Sequence, residues 1–171
     1  MCPDAIKRTV ASGFTLIEVL VVIVIIGVIV TLTTLTASDS RAPLKREAQR
    51  LAALLALAQE EAVFQAQEWG LSVHSDRYQF YIWQQQGWQV VQNDDLFRPR
   101  AMPQGIHIEL QLDGHSLRLA EGEEQQRPQI LILSSGECTP FELTFSDETD
   151  PSFQYQLQGN LLGALSIHRY D

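Results

Sequence analysis

The side chains able to do chemistry are few and scattered. The four histidines, His74, His107, His115 and His168, are scattered along the chain. Ser134 and Ser135 lack the strand-turn-helix setting that would present a hydroxyl for attack, so hydrolysis is not indicated. His107 and Glu109 alternate on one strand-like run and share a face, which supplies two metal ligands and no third. The acidic run Asp147-Glu148-Thr149-Asp150 lacks the spacing of a calcium loop and ends at Pro151. No metal, cofactor or catalytic residue is therefore expected. The remaining oddity is a carboxylate in apolar surroundings. Glu18 opens the run Val19 to Val30, VLVVIVIIGVIV, and no further charge occurs before Asp39. A carboxylate inside a membrane helix costs on the order of 3 kcal/mol by insertion scales, so something must offset it.

The element that carries Glu18 is long enough to span a bilayer. Lys7 and Arg8 precede it and Asp39 follows, so positive charge stays with a cytoplasmic N-terminus and the bulk of the chain lies outside. A signal peptidase cut after Ala37 would put Leu35 where a small residue is needed, so release as a soluble protein is not expected. A membrane would also separate Cys2 from Cys138, which argues against an intrachain disulfide and makes Cys138 a small buried hydrophobe.

Ser12-Gly13-Phe14-Thr15-Leu16-Ile17-Glu18, with Lys7 and Arg8 upstream, resembles the class III leader of type IV pilins and type II secretion pseudopilins. The resemblance implies that prepilin peptidase cuts after Gly13 and methylates the new terminal Phe14. Residues 1–13 are then a leader and residues 14–35 a transmembrane and polymerisation helix. The new α-amino group on Phe14 would be a cation, and Glu18 of a neighbouring subunit could pair with it inside an apolar bundle, setting subunit register.

Residues 36–69 read as an amphipathic continuation of that helix. TLTTLTASDS and Pro43 have low helix propensity and mark a bend. Beyond them Leu44, Ala48, Leu51, Leu55, Ala58 and Ala62 fall in steps of four and three on one stripe, facing a core. Lys45, Glu47, Gln49, Gln59 and Glu60 are expected on the wet face. Trp69 and Gly70 close the pattern, Gly70 as the left-handed residue after the helix. One long helix from Phe14 to Trp69 is predicted.

Residues 70–171 read as an antiparallel β domain, with alternating runs at 71–75, 78–83, 88–92, 106–112, 115–120, 129–133, 141–145, 153–158 and 164–169. Gly87, Gly114 and Gly163 are placed in turns. Asn93 to Gly105 and Glu121 to Arg127 are polar enough to be mobile contact loops. The fold class is α+β: a long N-terminal helix, transmembrane in its first half, feeding an antiparallel sheet or sandwich.

The stretch Pro128 to Phe145, PQILILSSGECTPFELTF, is similar to the H group of minor pseudopilins, as are the aromatic strands from Tyr78 to Trp88 and the segment Asp94 to Ile106. Its turn residues are Ser135, Gly136, Glu137, Thr139, Pro140 and Phe141, a set that by itself describes an ordinary strand connection. The resemblance implies a pilin-like fold and a minor structural subunit of the type II secretion pseudopilus. Such a subunit sits near the fibre tip and helps export folded proteins across the outer membrane. Implied partners are other major and minor pseudopilins, prepilin peptidase, the inner-membrane assembly platform and exported proteins. The implied location is the inner membrane, single-pass, with the C-terminal domain in the periplasm.

Two other readings compete. A minor pilin of a type IV pilus shares the leader and helix, and a signal-anchored periplasmic binding domain shares only the apolar segment. The net charge of −9 opposes nucleic acid, since only Lys45, Arg46 and Arg50 cluster and Glu47 stands among them.

Overall fold

The computed structural model describes residues 16–35, 41–119 and 127–170. Gly13, Phe14, Lys7 and Arg8 lie outside them, as do Cys2 and the 121–126 part of the second expected loop. The described residues fall into two compact units, one holding the first helix and the other everything from Arg41 onward.

Helix α1 is Leu16–Leu35, with Glu18 in its first turn. Its apolar residues are spread around the axis without a preferred face, and every side chain from Leu16 to Gly27 is exposed. Among the described residues no helix is long and apolar enough to cross a membrane.

Helix α2 is Arg41–Gln65. Pro43 sits in its first turn, where a missing amide donor leaves no hydrogen bond unmade. The expected stripe is the buried one: Leu44, Ala48, Leu51, Leu55, Ala58 and Ala62 are all at 0% exposure. Two expectations fail here. The helix stops at Gln65, four residues before Trp69, because Ala66 turns left-handed at φ 50. The amide of Ala66 then donates to the Val63 carbonyl at 3.4 Å and that of Gln67 to Ala62 at 3.1 Å, which is the Schellman closure with alanine where glycine is usual. Gly70 is a strand residue instead, and it is glycine for another reason. A Cβ there would lie 2.5 Å from the Pro128 ring.

The second failed expectation is Glu47, which is buried within the core, not displayed on the wet face. It is held there by the Tyr78 hydroxyl, which donates to Oε1 at 2.8 Å, and by Arg50, whose guanidinium meets Oε2 at 3.1 Å. A buried carboxylate is tolerable only when its oxygens are supplied with donors in this way.

Among the described residues ten strands follow, in two sheets. The first sheet contains β1 (Trp69–Val73), β2 (Arg77–Gln84), β3 (Gly87–Val90), β4 (Arg100–Ala101) and β7 (Ile130–Ile132). Its order is β3-β2-β1-β7, with β4 added on β2. The second sheet has the order β10-β9-β8-β5-β6. It comprises β5 (Ile106–Leu112), β6 (His115–Leu117), β8 (Phe141–Asp147), β9 (Gln154–Gly159) and β10 (Leu165–Tyr170). All the pairings are antiparallel.

The inward residues of β5, β8 and β9, including Ile108, Leu110, Leu143, Phe145 and Leu157, alternate with wetter ones as period two requires. β1 is buried along its whole length. Helix α2 packs against both sheets, so its stripe and the two inner faces form one core.

Two further expectations need correction. Asn93 to Gly105 is not a free polar loop. Asp94 Oδ1 accepts from the amides of Leu96 at 2.7 Å and Phe97 at 2.9 Å. The Phe97 ring is buried against Trp69 and Phe80, with centroids 4.7 and 5.2 Å away. The turn assigned to Gly87 lies one step earlier, where Gln85 and Gln86 take φ 49 and 65 and Gly87 already begins β3. Asp113 and Gly114 form the matching turn between β5 and β6, at φ 50 and 75.

Candidate functional site

The chemistry expected at the N-terminus rests on α1. Ten large apolar side chains between Leu16 and Ile26 are exposed, from 47% at Val22 to 85% at Leu16. A helix apolar on every side is stable only when something apolar surrounds it, either lipid or other helices. Glu18 is the acidic residue of its first turn, where a negative charge is favoured by the partial positive charge of the helix start. The expected cleavage and methylation positions, Gly13 and Phe14, lie outside the described residues.

The turn residues named from the sequence come together in one compact connection. Leu133 N donates to Glu137 O at 2.8 Å and Gly136 N to Leu133 O at 2.9 Å, closing a tight turn in which Gly136 takes φ 90. Ser135 Oγ donates to Glu137 Oε2 at 3.3 Å. Ser134 is fixed by Glu68, which accepts from its amide at 3.0 Å and its hydroxyl at 2.8 Å. Both hydroxyls are thus committed to carboxylates, and neither contacts a histidine.

Thr139 stands in for a missing strand partner, its Oγ1 accepting from Leu131 N at 3.0 Å while its own amide donates to Leu131 O at 2.9 Å. Pro140, with no amide to offer, precedes the first residue of β8. Phe141 drives its ring into the space a side chain on Gly159 would occupy. A Cβ there would lie 2.2 Å from Phe141 Cε1.

This connection locks the two sheets and α2 together. Cys138 N donates to Leu161 O at 3.0 Å, and a Cβ on Gly163 would stand 2.9 Å from Gly136 O and 3.4 Å from Gln59 Nε2. Cys138 itself is a buried free thiol, and burial pushes its pKa up to about 11, well into the unreactive range.

Sequence reasoning missed one Ser–His contact. Ser72 Oγ on β1 and His74 Nε2, just past its end, are 3.1 Å apart, but both residues are at 0% exposure, so no substrate reaches them. Their i, i+2 spacing was the available signal. His107 Nε2 and Glu109 Oε1 do share a face, 3.8 Å apart and exposed. Among the described residues no group of three metal-ligating side chains forms. Asp147 Oδ1 accepts from the Thr149 amide at 2.7 Å, so the acidic run is an ordinary side-chain-closed turn.

Comparison with known proteins agrees with this geometry. Residues 47–163 match the family model of type II transport protein GspH, and residues 8–34 match the prokaryotic N-terminal methylation motif. The chain is 41% identical over 147 residues to type II secretion system protein H of Pseudomonas aeruginosa, covering 79% of this chain and 83% of that one. It is 31% identical over 156 residues to the protein H of Aeromonas hydrophila, covering 84% and 85%.

Among solved structures, the minor pseudopilin EpsH from the type II secretion system of Vibrio cholerae superposes with a TM-score of 0.66 at 26% identity, covering 76% of this chain and 98% of that one. Escherichia coli GspH shares the fold, with a TM-score of 0.60 at 18% identity over 79% and 95%. With α1 apolar on all sides and the 133–141 connection seated between helix and sheets, the chain belongs to the GspH family of type II secretion, the minor pseudopilins.

Proposed function

We propose that this chain works as a minor structural subunit of the pseudopilus, assembled near the fibre tip, with no catalytic activity of its own. Its leader is removed after Gly13 and Phe14 is methylated. Residues 14–35 anchor the precursor in the inner membrane with the β domain in the periplasm, then leave lipid to pack among the helices of other pseudopilins. Prepilin peptidase and the inner-membrane assembly platform are its transient partners, and exported proteins are what the finished fibre serves.

The observation that carries this reading is α1, whose apolar side chains are exposed on every side. Burying ten such side chains, at roughly 1.5–3 kcal/mol each, supplies a driving force large enough to hold a fibre core together. Glu18 is the one ionisable residue in that helix, and in the packed bundle it meets the α-amino group of a neighbour's Phe14, so the pair fixes register. The match to the N-terminal methylation motif supports the processing step. A minor pilin of a type IV pilus would share α1, but the relatives named above are all secretion proteins.

The test is intact mass and N-terminal sequencing of the chain from membranes of cells producing prepilin peptidase. A start at N-methylated Phe14 is expected. An uncut Met1, or a start near Ser38, would replace this reading with an anchored or a secreted binding domain.

A further inference from the structure

At the end of α2 the molecule leaves apolar surface in water. Phe64 is 89% exposed and Val63 53% exposed, and on the turn between β9 and β10 Leu162 is 82% and Leu161 55% exposed. These residues are neighbours in space. The Val63 Cγ2 methyl lies 3.9 Å from the position of a Cβ on Gly136, whose carbonyl oxygen would in turn lie 2.9 Å from one on Gly163, beside Leu162. Leu161 is tied to the same turn by its bond from Cys138 N. The backbone beneath this surface is held by the Schellman closure, the Gly136 turn and the Asn160 turn, in which Asn160 Oδ1 accepts from Leu162 N at 3.0 Å. Clustered apolar exposure of this kind marks a contact surface.

Charge says what kind of partner fits. A helix end carries roughly half a negative charge, which cations normally neutralise. The last turn of α2 has no basic residue, while Glu60 and Glu61 on the helix and Glu137 on the adjoining turn add carboxylates. Helix α2 and the 133–137 turn therefore both bring negative charge to the patch, while the turn from Asn160 to Ala164 adds no charge of either sign. The patch also lies at the C-terminal end of α2. Twenty-five residues at 1.5 Å make α2 about 37 Å long, so a partner seated here meets the opposite end of that helix from Arg41.

We infer that Val63, Phe64, Leu161 and Leu162 form the seat for the next subunit of the fibre, a pilin-like chain presenting an apolar surface edged by lysine or arginine. This rests on the reading of the chain as a pseudopilus subunit. Apolar contact supplies the adhesion, and the Glu60, Glu61 and Glu137 rim selects a basic-edged partner and rejects an acidic one.

The experiment places a photo-crosslinking amino acid at position 64, and separately at Val24 of α1, in the full chain made alongside the complete set of pseudopilins, with adducts identified by mass spectrometry. Position 64 is expected to yield one heterologous pseudopilin. The double variant Phe64→Glu/Leu162→Glu, at two exposed sites, is expected to keep leader cleavage and protein level while lowering secretion at least tenfold. Adducts at 64 only with further copies of this chain, only with lipid, or with nothing, or unchanged secretion in the double variant, would overturn the inference. Val24 separates the two levels: pseudopilin adducts at Val24 without any at 64 refute this seat alone, and none at either position refutes the fibre-subunit reading itself.

Discussion

The hydroxyl of Tyr78 on β2 reaches the buried carboxylate of Glu47 on α2 at 2.8 Å, and it does so inside the core. Burial first, and then the charge of Glu47, push the phenol pKa far above its usual value near 10. A raised pKa means the folded protein holds this proton where the unfolded chain would lose it. The stabilisation is therefore complete below about pH 10 and declines as pH rises further. Tyr78→Phe leaves a buried carboxylate oxygen without its donor and is expected to cost about 1–3 kcal/mol at neutral pH. Urea unfolding at pH 7 and above pH 10 checks both, and the variant should lose part of the alkaline decline.

Ala66 ends α2 at φ 50 with a β-carbon in a conformation that disfavours one. Ala66→Gly is expected to stabilise by about 1 kcal/mol, because the relief of strain exceeds the added freedom of the unfolded chain. An unchanged or lowered urea midpoint would count against the Schellman closure.

Gly159 is glycine because Phe141 fills the place of its side chain. Gly159→Ala is expected to destabilise by about 1–3 kcal/mol through overpacking. The double variant with Phe141→Leu should recover part of that loss, since leucine vacates the ring positions the new methyl meets. Equal losses in the single and double variants would rule out the steric cause.

Glu18→Ala is expected to leave cleavage after Gly13 intact while abolishing incorporation into the fibre. Fractionation of processed protein between membrane and sheared fibres reads the outcome, and normal secretion by this variant would sink the register role. Replacing Gly13 by a larger residue should instead stop processing and leave the full precursor in the membrane.

Much of the fold was legible because the relevant signals are local. The step of four and three from Leu44 to Ala62 named the buried face of α2, and alternation located the strands from β1 to β10 apart from β4. What escaped was set by distant partners. Nothing near Glu47 announces that Tyr78, 31 residues away, will draw it inward. Phe97 follows only Leu96 in a run of aspartates, arginines and Pro99, so its docking on Trp69 and Phe80 and the two-residue β4 beside it leave no periodic trace. Gly70 was visible as a glycine, but its use as a berth for Pro128 depends on β7 lying beside β1. At the N-terminus the motif from Gly13 to Glu18 was readable as a pattern. The patch at Phe64, Leu161 and Leu162 was not, because its members meet only after two turns close.

The pairing of β1 with β7 has a consequence for the order of events in folding. Leu71 waits for Ile130, and between them the chain departs to lay down β5 and β6 in the other sheet. The segment that closes the first sheet therefore follows, in the chain, the strands that open the second, and β8 and β9 come after both. A chain emerging end first holds β1 with one edge bare until some sixty further residues have appeared. Nascent molecules are thus exposed at that edge to mispairing with one another, a hazard that grows with their concentration.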